Sequence, residues 1–111
     1  MKMTAITFAV LMAAGASPSA AAAEVKVLTA GAFKQVLVAL LPEIEKQSGN
    51  KVALDNDTVG ALVKRIEAGE SFDLAVLTPG ALEGLAGKGK IVAGSATKLA
   101  RVGIGVVVKE G

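Results

Sequence analysis

Residues 27–33 read Val-Leu-Thr-Ala-Gly-Ala-Phe, a short apolar run that breaks at a turn of small residues and then resumes with a different period. Before the break, Val25 to Thr29 reads as a strand. After it, Phe33, Val36, Leu37, Leu40, Leu41 and Ile44 recur at spacings of three and four, which is the stripe of an amphipathic helix. Gly49-Asn50 ends that helix. Pro42 lies inside the stripe and removes one backbone donor, so the sequence predicts a kink or a fresh helical turn there.

The same alternation continues downstream. Lys51 to Asn56 reads as a second strand, and Thr58 or Asp57 can cap a short helix that carries Leu62, Val63 and Ile66 and closes at Gly69. Phe72 to Leu77 is nearly all apolar, the pattern of a central parallel strand covered on both faces. Thr78-Pro79 places a hydroxyl at an N-cap and proline at the first helical position, opening a third helix through Leu82 and Leu85. Gly87 to Ser95 is a loop. Ala100 to Val108 reads as a last strand, interrupted by Gly103 and Gly105 where a bulge or close backbone approach fits. Strands alternating with helices predict an α/β fold with a parallel sheet and right-handed crossovers.

The residues before this pattern belong to a different kind of segment. Lys2 supplies a positive start, Ile6 to Ala14 an apolar core, and Gly15 to Ala23 a small-residue tail in which Ala21-Ala22-Ala23 satisfies an A-x-A cleavage site. Residues 1–23 are therefore predicted to be a secretory signal peptide. The apolar run has about half of the ~20 residues that a membrane span requires. Residues 24–111 then form one small α/β domain, too short for two lobes.

Composition narrows the chemistry. The chain has 12 Lys and Arg against 10 Asp and Glu, with no His and no Cys. Its basic residues are scattered among carboxylates, which excludes a nucleic-acid footprint. Without Cys, disulfides cannot stabilise an exported domain. Without His or Cys, the main transition-metal ligands and the usual general base are missing. No nucleophile elbow, P-loop or dinucleotide fingerprint is present, so the sequence predicts a protein that is not an enzyme, with no catalytic residues, no metal and no cofactor.

In an open parallel sheet, ligands bind outside the carboxyl ends of the strands. Three strand-to-helix turns fall there: Thr29 to Ala32, Asp57 to Gly60 and Thr78 to Gly80. Each opens a helix whose free N–H groups and dipole favour an anion, and the small residues Ala30, Gly31, Ala32 and Gly60 allow close backbone approach. The candidate ligand-binding residues are thus Thr29, Ala30, Gly31, Ala32, Thr58, Val59, Gly60 and Thr78. Plainer readings stand beside these: Thr58 and Thr78 as ordinary caps, Gly31 as a turn residue, and the neighbouring Asp57 as a solvated loop carboxylate. Asp73 reads as a pairing or capping group at a strand edge, since no second carboxylate stands near it for acid/base work.

Val25 to Phe33, Val59 to Gly69 with its Ile66-Glu67-Ala68-Gly69 ending, Phe72 to Leu77 and Ala100 to Val108 resemble, in order and spacing, the molybdate-type periplasmic substrate-binding proteins of ABC transporters. The resemblance implies the three-layer first lobe of a type II periplasmic binding protein, a small anionic solute such as molybdate or tungstate, an ABC transporter membrane permease as partner, a periplasmic location and a monomer. It also implies that the chain stops where a strand would cross to the second lobe, as in a truncated protein or fragment. The family's first binding serine falls on Ala32 and its second at about Val59, so both hydroxyl ligands are replaced. Thr29, Thr58 and the backbone N–H groups near Ala32 and Gly60 remain as donors. A solitary lobe with a structural or protein-interaction role is the alternative expectation.

Overall fold

The computed structural model describes residues 22–111, so the expected signal peptide falls almost wholly outside the described residues. Six elements follow in strict alternation: β1 (Glu24–Ala30), α1 (Gly31–Ser48), β2 (Lys51–Asp57), α2 (Val59–Glu67), β3 (Leu74–Val76) and α3 (Pro79–Gly87). The three strands make one parallel sheet in the order β2-β1-β3. This is the expected α/β class.

Local chemistry sets most of the boundaries. Gly49 adopts φ 70° and its N–H donates to the Glu45 carbonyl oxygen at 2.9 Å, closing α1 with a left-handed residue that glycine takes without a Cβ penalty. Gly69, at φ 98°, ends the turn after α2 in the same manner. The Thr58 hydroxyl accepts from the Ala61 N–H at 3.2 Å and so caps α2. Thr78 occupies the N-cap position of α3, with Pro79 following, but its side chain makes no cap hydrogen bond.

Strand alternation divides the side chains between two faces. Leu28 of β1 packs with Leu62 and Ile66 of α2 and Leu85 of α3, and these four form the buried cluster, edged by Val63, Phe72, Ala75, Leu77 and Ile91. On the opposite face, Val25, Val27, Val52, Leu54, Leu74 and Val76 meet Leu37, Leu41 and Ile44 of α1 across an apolar groove of about 280 Å³. The result is three layers: α1, the sheet, and the α2–α3 pair.

Three expectations are corrected. Phe72–Leu77 does not supply the central strand; β1 is central, and β3 is a three-residue edge strand whose Leu74 is 58% exposed. Pairing to β1 starts just before it, where the Asp73 N–H donates to the Lys26 carbonyl oxygen at 2.9 Å and the Lys26 N–H donates to Asp73 Oδ2 at 2.7 Å. Asp73 is therefore a pairing group, as its position suggested. Second, no fresh helical turn starts at Pro42; α1 is assigned as one helix through it, and the missing donor costs one hydrogen bond within that helix. Third, residues 100–108 form no strand and are exposed throughout, Ile104 at 96% and Val107 at 97%. β propensity alone does not make a strand; a ladder partner is needed, and among the described residues this segment has none.

Candidate functional site

Parallel pairing aligns the ends of the strands. Ala30 is the register partner of Asp57, and Thr29 is the partner of Val76. All three strand-to-helix turns accordingly lie along one edge of the sheet, with the β1–α1 turn in the middle. An open depression of about 510 Å³ occupies this edge, lined by Ala30, Gly31 and Ala32 from the first turn and by Asn56, Asp57, Thr58 and Val59 from the second.

Five of the eight candidate residues line the depression: Ala30, Gly31, Ala32, Thr58 and Val59. The other three stand apart from it. Thr29 shares strand parity with Val25 and Val27, on the side of α1; it is fully buried, and its hydroxyl donates to the Ala30 carbonyl oxygen at 3.1 Å. Gly60 sits on the exposed first turn of α2, and Thr78 on the exposed turn beyond β3.

The helix starts differ in what is left free. At α2, the Thr58 N–H donates to Asp57 Oδ1 at 2.8 Å and the Ala61 N–H to Thr58 Oγ1, so part of its donor set is already satisfied. At α1, the N-cap is Ala30, no side chain caps the helix, and the first turn holds no acidic residue. The first N–H groups of α1 therefore open onto the depression with no side-chain acceptor. Gly31 has no positive φ, and a Cβ built on it would meet nothing within 4 Å. Protein packing does not demand glycine at that position.

Sequence reading missed the residue that governs charge beside this edge. Asp55 and Asp57 alternate on β2 and so share the face toward α2. Arg65 of α2 spans them: Nη1 lies 3.6 Å from Asp57 Oδ2, Nη2 donates to Asp55 Oδ2, and Nε and Nη2 donate to Glu70 at 2.7 and 2.9 Å. Lys26 Nζ reaches Glu70 at 3.4 Å. The Arg65 hydrogen bonds hold the Asp55 and Glu70 carboxyls below their usual values and push the guanidinium further up. Two aspartates at i and i+2 on a strand, followed by an arginine on the next helix, were the available signal.

The depression thus combines backbone donors, a single threonine hydroxyl and one carboxylate whose oxygens are both engaged by protein groups. Among the described residues, its lining brings together no pair of side chains arranged for proton transfer and no nucleophile beside a base. No curated protein and no solved structure gives a match to the chain. The family model for bacterial extracellular solute-binding proteins matches residues 25–111, a span that takes in the sheet, all three turns and the edge they build, and the chain belongs to that family.

Proposed function

We propose that this chain is the solute-binding component of an ABC importer and takes a small anion, of the molybdate-like oxyanion class, at the β1–α1 turn. The observation that carries this reading is the N-terminus of α1, uncapped by any side chain, opening onto a depression built by two strand-to-helix turns. Main-chain N–H groups at Ala32 and its successors would donate to the anion, with the helix dipole favouring its charge. Gly31 would let the backbone approach closely. Thr58 would contribute less, its hydroxyl being committed to Ala61. In this reading residues 1–23 direct export, the protein acts in the periplasm as a monomer, and a membrane permease receives the solute.

The test is thermal unfolding of the full chain with molybdate, tungstate, sulfate and small carboxylates in turn. A ligand at 100 times its Kd stabilises by about 2.7 kcal/mol, which raises Tm by several degrees. Gly31→Ala removes no packing, so it should keep the unliganded Tm and lose most of the anion response. No shift with any of these anions at millimolar concentration would overturn the proposal.

The exposure of Val102, Ile104, Val106, Val107 and Val108 favours a second reading, in which the lobe acts by pairing this segment with another protein chain. Association that grows with concentration and ignores anions would favour it.

A further inference from the structure

We draw no further inference here: the strongest candidate, the apolar groove between α1 and the sheet together with the exposed apolar segment from Val102 to Val108 that follows its lining residue Leu99, carries none, because nothing in the structure shows what covers either of them.

Discussion

The two faces of the sheet carry helices with apolar residues turned toward it and bury them to different depths. On one face, Leu62, Ile66 and Leu85 are at most 2% exposed. On the other, α1 is twice as long as α2 or α3 and has no buried residue at all; Val36, Val38, Leu40 and Ile44 are exposed. The difference lies in the neighbours. α2 and α3 touch each other and share one buried cluster with Leu28 of the sheet, so a side chain between them is enclosed from two directions. α1 lies alone over β1 and β2, and a groove remains between it and the sheet. An apolar stripe tells which side of a helix turns inward, and the packing partners decide how far inward it goes.

The largest effect that could break this comparison is a pair of truncations. Leu62→Ala removes a side chain with no exposed surface from the closed cluster and should cost about 2–5 kcal/mol, transfer plus cavity. Leu41→Ala, in the half-open groove, should cost about 1 kcal/mol, because only part of its surface leaves water and solvent can fill the gap. Urea unfolding at constant m reads both. Similar midpoints for the two variants would mean that α1 is packed as tightly as the opposite pair.

This contrast also marks where the sequence was legible. The β1–α1 junction, the stop at Gly49, the cap at Thr58 and the start at Pro79 all follow from local rules, since each depends on residues a few positions apart. Three turns on one edge were legible too, because a parallel sheet with helical crossovers puts every strand's carboxyl end on the same side. The order β2-β1-β3 was not, because strand order depends on pairings between distant segments. Phe72–Leu77 therefore passed for a central strand, and Ala100–Val108 for a paired one, on composition alone. At the site, the small residues of the first turn were readable from their type. Thr29 was not, because a one-residue step along a strand decides whether a hydroxyl faces the depression or α1. Arg65 escaped because its partners come from β2 and from the loop after its own helix.

A smaller effect compares the two caps on the tightly packed face. Thr58 and Thr78 precede helices of equal length, and sequence reading treats them alike. Thr58 accepts from Ala61, so Thr58→Ala should cost about 1 kcal/mol. Thr78 makes no cap bond, so Thr78→Ala should fall within about 0.5 kcal/mol of zero. Equal costs measured by urea unfolding would show that the hydroxyl of Thr78 is bonded in solution.

The smallest effect separates the two faces by pH. On the α2 face, Arg65 lowers the carboxyls of Glu70 and Asp55 through its hydrogen bonds. On the α1 face, the Val52 N–H, donating at 2.9 Å, lowers Glu45 and ties the end of α1 to the start of β2. A carboxyl whose folded value lies below its unfolded one binds fewer protons folded than unfolded, so its contribution is fully present above the unfolded value and is lost as pH falls through the folded value. The unfolded values are 4.5 for Glu45 and Glu70 and 3.8 for Asp55. These groups should therefore leave stability unchanged as pH falls from neutrality toward 4.5, and below that point stability should decline. Arg65→Met should flatten the part of the decline due to Glu70 and Asp55. Glu45→Gln should flatten only its own share, that of a carboxyl held first by the Val52 N–H and then by Lys51 at 3.3 Å. Urea midpoints measured at intervals between pH 3 and 7 resolve the two. If Glu45→Gln flattened the acid limb more than Arg65→Met, the Glu45 carboxyl on the loosely packed face would outweigh the arginine fork on the closed one, and side-chain burial and ionic fastening would follow different faces of the same sheet.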